Sequence, residues 1–283
     1  MIAAPVLWST AGVVTRHIER ATPFEMVFWR SFFAGVFVGS VVLVLNRKNP
    51  WHALRAAGWP GVLSGAMWAV MFTAFLIALT LTSTANTLIV MSIAPLLTAL
   101  VARLFINDRI APRTWLAVGA ATVGLAWMFG AGFSAHHARD ITGMLVALLV
   151  PIAAATNVIN LRLVAGRLDL VPAVIIGAAL SCAVALPLAL PFNATPRDFA
   201  LLAFLGFFQL GLPCMLMVIA SRSLMAPEIA LICLLEVLLG PLWAWWGAGE
   251  VPARATLAGG AIVVAALAAN ELAAVRRSAR LGV

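Results

Sequence analysis

The chain has 283 residues, 64% of them hydrophobic and 10% charged, where a soluble domain holds roughly 45–50% apolar and about 25% charged residues. A net charge of +8 does not mark a nucleic-acid binder here. The arginines stand singly or in pairs at the ends of apolar runs, and no polar region is left to form a binding face.

The apolar runs are about 20 residues long, which is what crossing a hydrocarbon core of roughly 30 Å requires. They predict ten transmembrane helices at 2–18, 23–45, 57–80, 84–106, 113–132, 141–163, 171–192, 198–221, 226–247 and 254–275. The alternating pattern of a membrane barrel is absent. Helices follow because each peptide group in lipid must bond within its own segment.

The first segment carries Trp8, too deep for an interfacial belt, with Ser9 and Thr10 beside it. The second holds Arg30, which can pair with an acid, meet a ligand carboxylate or snorkel outward; packing between the two halves is the favoured role. The third presents Gly61, Gly65, Trp68, Phe72 and Phe75 along one face. Its glycines permit close helix approach, and its rings suit a cavity wall or ordinary core packing. Asn86 and Met91 fall in the fourth, Asn157 and Asn160 in the sixth, and Gln209 in the eighth.

The ninth segment, "IALICLLEVLLGPLWAWWG", places Glu236 about 12 Å from its nearer end at 1.5 Å per residue. An isolated carboxylate there is costly, so it carries a proton, finds a partner or does a job. Glu236, Gly240, Trp243 and Gly247 share one helical face. Gly119, Gly124, Gly259 and Gly260 smooth one face each of segments five and ten.

Several chemistries lack their residues. Lys48 is the only lysine and lies in "NRKNP", so there is no phosphate-binding GxxxxGK[ST] loop and no ATPase subunit is called for. Cys182, Cys214 and Cys233 lie inside apolar runs and imply no disulfide framework. The four histidines lack metal-site spacing, and no nucleophile–base cluster argues for an enzyme. No metal or cofactor is expected.

Twelve basic residues fall on one side (Arg47, Lys48, Arg55, Arg103, Arg109, Arg113, Arg162, Arg167, Arg222, Arg276, Arg277, Arg280) and five on the other (Arg16, Arg20, Arg139, Arg197, Arg254). The positive-inside rule puts the richer side and both termini in the cytoplasm, and in a bacterium the protein in the inner membrane. "RTWLAVGAATV" at 113–123 matches "RATLAGGAIVV" at 254–264, and "PVLWSTAGVVTR" at 5–16 shares Pro, Thr and Arg with "PIAAATNVINLR" at 151–162. Residues 1–138 and 139–283 therefore read as five-helix repeats, and an odd helix number makes the second inverted.

"WSTAGVV" followed by "PFEMVFWRSFFAG", the run from "FLIALTLTSTANTLIVM" to "GAATVGL", and "LLEVLLGPLWAWWGAGEVPARATLAGG" together resemble the drug/metabolite transporter superfamily, EamA type, over nearly the whole chain. Among ten-span members the chain looks most like bacterial aromatic amino acid exporters. It departs from the family pattern at Asp108, where a glutamate is usual, and at Val237, where a proline often follows the acid.

The resemblance implies an all-α integral membrane protein of two inverted five-helix repeats. Its function would be secondary export of aromatic and other neutral amino acids by alternating access, as a monomer or weak homodimer. With the helix faces above, it implies a substrate cavity walled by segments 1, 3, 4, 6, 8 and 9, with Trp8, Trp68, Phe72, Asn86, Met91, Asn157, Gln209, Glu236 and Trp243 as substrate-binding residues. Efflux of cationic aromatic drugs is the alternative, with Glu236 as counter-charge and the rings as cation–π partners. A non-transporting membrane enzyme or receptor is the reading from another class.

Overall fold

The structure is a computed structural model. It describes residues 1–44, 50–82, 84–91, 93–105, 112–130, 138–224 and 226–248, with isolated positions between 258 and 269. Among the described residues the chain is helical and contains no strand. The helices are α1 (Ala3–Trp8), α2 (Ala11–Thr15), α3 (Pro23–Val44), α4 (Pro50–Leu81), α5 (Thr84–Met91), α6 (Ala94–Phe105), α7 (Pro112–Gly130), α8 (Ala138–Leu163), α9 (Ala173–Ala189), α10 (Pro196–Phe204), α11 (Leu212–Ala220) and α12 (Ala226–Ala248). A π-helical segment, Leu205–Gly211, joins α10 to α11. Four described stretches are long and apolar enough to cross a membrane: Pro23–Val44, Trp51–Leu81, Ile141–Leu163 and Pro196–Ala220. The expected tenth segment, Asp108 and His136–His137 lie wholly or largely outside the described residues.

Where the expected segments are interrupted, the sequence supplies the reason. The first breaks at Ser9–Thr10, whose hydroxyls donate back to the carbonyls of Val6 (2.6 Å) and Leu7 (2.7 Å) and compete with the helical ladder. Helix α4 starts seven residues before the expected 57 and bends at Gly58, whose φ of 56° and ψ of −153° suit only glycine. The π segment precedes Pro213, which has no N–H for the carbonyl of Gln209 four residues earlier; a wider turn accommodates that gap. Helix α12, in contrast, runs unbroken through Gly240–Pro241.

Helix α4 packs against α8 and α9, and α3 against α9 and the π segment. Gly65 and Gly177 face each other at the α4–α9 crossing, where a Cβ on Gly177 would stand 2.5 Å from the Trp68 Cβ. Beside them, Ser31 (α3) donates to the Ser181 hydroxyl (α9), and Thr73 (α4) reaches the same oxygen, both at 3.0 Å. The smooth face of α7 meets the last segment: a Cβ on Gly124 would touch the Gly259 carbonyl and Ile262.

At one end of the bundle two loops hold one another. Thr22-Pro23-Phe24-Glu25 opens α3 and Thr195-Pro196-Arg197-Asp198 opens α10. Both acids are fully buried. Asp198 completes a capping box with Thr195 and also accepts from the backbone N–H groups of Glu19 (2.9 Å) and Arg20 (3.1 Å) in the α2–α3 loop. Glu25 accepts from Asn193 (3.0 and 3.1 Å) and Ala194 (2.9 Å) in the α9–α10 loop. An exposed ion pair, Arg197–Glu19 at 3.0 Å, bridges the same loops.

Candidate functional site

A cavity lies among α1, α3, α4, α5, α6, α8, the π segment, α11 and α12. The space open to water centres is about 140 Å³. One water needs roughly 10–15 Å³ by that measure, so the volume suits a small metabolite. The wall is mostly apolar: Trp8, Trp68, Phe72, Phe75, Met71, Met91 and Met217 supply rings and thioethers. Arg30, Gln209, Thr98 and Glu236 supply the main polar groups.

Each polar group is placed by local structure. Arg30, 2% exposed, donates from Nη2 to the carbonyl of Phe72 at 2.8 Å, while its Nε is buried with no partner. Gln209, also 2% exposed, sits in the π segment and donates from Nε2 to the Trp8 carbonyl at 3.2 Å, leaving Oε1 without a partner. The Trp68 Nε1–H is likewise buried and unpaired. Glu236 makes no hydrogen bond or ion pair among the described residues. It lines the same cavity as Arg30, with no ion pair between the two.

Of the expected wall residues, Trp8, Trp68, Phe72, Met91, Gln209 and Glu236 line this cavity. The side chain of Asn86 lies outside those described. Asn157 is fully buried but off the wall, where it accepts a 2.7 Å bond from Ser64 and ties α8 to α4; Asn160 adds a second tie at 2.9 Å to the Pro60 carbonyl. Trp243 is off the wall too, and its Nε1–H donates to the Ser9 hydroxyl at 2.8 Å. Both were expected on the wall from the family resemblance, with a helix face as further argument for Trp243. Each polar group instead has a nearer helix partner, which in a membrane is the commoner end of a polar side chain. Arg30 brings the second segment into the wall as well.

Trp243→Phe removes one tie and leaves the ring, so it is expected to cost about 0.5–1.5 kcal/mol. Thermal unfolding in detergent measures the loss.

Sequence reading also passed over the buried acids Glu25 and Asp198. Their signal was present as two copies of Thr-Pro-x-acid, each a capping box opening a helix.

Comparison with known proteins agrees with this architecture. A protein of known crystal structure superposes with a TM-score of 0.78 at 19% identity, over 97% of this chain and 96% of its own. The pseudopaline exporter CntI of Pseudomonas aeruginosa is 26% identical over 272 residues, 94% of this chain and 92% of that protein. The S-adenosylmethionine uptake transporter of Rickettsia prowazekii is 22% identical over 273 residues, 92% of this chain and 90% of its own. Residues 1–130 match the EamA-like transporter family, and the apolar helices are those of a multi-pass membrane protein.

Proposed function

We propose that the protein exports amino acids, aromatic and other neutral ones, and similar small metabolites across the bacterial inner membrane by alternating access. The observation that carries this reading is a ring-lined cavity whose described wall carries a basic group, Arg30, and a carboxyl group, Glu236, with no contact pair between them. Rings and thioethers take an apolar side chain, and the charges take the two ends of an amino acid. In this reading residues 1–138 and 139–283 are inverted halves rocking about the cavity, with both termini in the cytoplasm.

The relatives move metabolites in opposite directions, one as an exporter and one for uptake. Export here rests on the resemblance to amino acid exporters. Efflux of cationic aromatic drugs is the second reading, favoured by the unpaired Glu236 beside Trp and Phe rings.

Purified protein in liposomes, tested with labelled amino acids and labelled organic cations, decides between them. Saturable amino acid flux is expected, and flux of cations alone would sink the proposal. A pH gradient imposed on the same vesicles should not drive accumulation, because a single carboxylate is thin equipment for coupling. If accumulation does follow the gradient, Glu236→Gln should abolish it while leaving exchange at equal concentrations.

A further inference from the structure

The polar atoms of the cavity are sorted by kind. The unpaired donors are Arg30 Nε and Trp68 Nε1; Trp68 stands one turn before Phe72 on α4, whose carbonyl holds the Arg30 guanidinium at 2.8 Å. The unpaired acceptors are on the π segment and α12. Gln209 must turn its NH₂ toward the Trp8 carbonyl, which can only accept, so Oε1 is the atom this cavity residue leaves without a partner. Glu236 offers a carboxyl with no partner among the described residues.

Building on the amino acid reading above, we propose that the cavity binds its substrate in one orientation. The carboxylate lies on Arg30 and Trp68, the ammonium on Glu236 and Gln209, and the side chain among the rings. Every unpaired group named here then finds the partner its chemistry lacks. A cation without a carboxylate would leave Arg30 buried and uncompensated. A carboxylate without an amine would do the same to Glu236. Arg30 is thus the residue that rejects simple organic cations, and Glu236 the one that rejects simple acids.

The experiment compares three ligands with one ring and different ends: phenylalanine, phenethylamine (amine only) and 3-phenylpropionate (carboxylate only). Each is tested as a competitor of labelled phenylalanine counterflow in liposomes, and in parallel for thermal stabilisation of the detergent-solubilised protein. Wild type should take either single-ended ligand about 10–100-fold more weakly than phenylalanine, the ratio for losing charge-assisted bonds. Arg30→Gln should narrow the gap for phenethylamine alone, Glu236→Gln the gap for 3-phenylpropionate alone, and Arg30→Lys should restore part of the first.

If phenylalanine is carried and both analogues compete equally with it, the orientation is wrong and the transport reading stands. If no amino acid is carried, the transport reading falls. The stabilisation assay then decides the orientation by itself: a preference for phenylalanine upholds it, and equal or stronger stabilisation by phenethylamine overturns it. The wild-type comparison needs no variant to fold.

Discussion

Replacing Glu25 with alanine should unfold the protein at a markedly lower temperature, with a loss of about 3–5 kcal/mol. The carboxylate is fully buried and accepts from the N–H groups of Asn193 and Ala194 at 2.9–3.1 Å. Hydrogen bonds to a charged group contribute about 1.5–3 kcal/mol each, and orphaned buried N–H groups add a penalty. Glu25→Gln keeps one acceptor oxygen and should cost less than half as much. The exposed Arg197–Glu19 pair joins the same loops at 3.0 Å but is well hydrated, so Arg197→Ala should cost under about 1 kcal/mol. Thermal unfolding in one detergent ranks the three. Equal losses for Glu25→Ala and Arg197→Ala would mean that the buried bonds do not hold this end together.

The second large effect is expected at the α4–α9 crossing. A Cβ on Gly177 would stand 2.5 Å from the Trp68 Cβ and 3.0 Å from the Gly65 carbonyl. Backbone atoms cannot swing aside, so the helices must part. Gly177→Ala should cost about 1–3 kcal/mol, and Gly177→Leu should prevent assembly. Parting the helices moves Trp68, a cavity wall residue, so Gly177→Ala should also slow transport per folded molecule. Gly39 on α3 is the control, because a Cβ there meets nothing within 4 Å. Gly39→Ala should be neutral or stabilising by up to about 1 kcal/mol.

The helices were legible because lipid leaves the backbone no other solution, and runs of 20 apolar residues announce themselves. Their interruptions were less so. A break at Ser9–Thr10 or a π turn before Pro213 depends on which carbonyl a hydroxyl or a missing N–H affects, and hydropathy does not register that. The cavity residues were legible in proportion to their lack of local alternatives. The Glu236 carboxyl and the Trp68 Nε1–H have no partner among the described residues, and with Phe72 these residues line the space. Asn157 and Trp243 were expected beside them, but Ser64 and Ser9 engage their polar groups, and such partners lie 93 and 234 residues away in sequence. Glu25 was hidden for the opposite reason. It sits at a helix start, where an acid is ordinary, and only the facing loop shows what it holds.

The π segment has a consequence for how this gene tolerates change in length. Between Leu205 and Gly211 the backbone takes up more residues per turn than α10 and α11 on either side. Deleting one residue there lets the ladder close as ordinary α-helix. Each α-helical residue subtends about 100°, so Cys214 and Met217 would turn away from their present neighbours while the rest of the bundle stayed put. A deletion that a surface loop absorbs without trace would here read as a rotation of a helix, and lineages of this protein should conserve the spacing from Asp198 to Met217 more strictly than the identity of most residues between them.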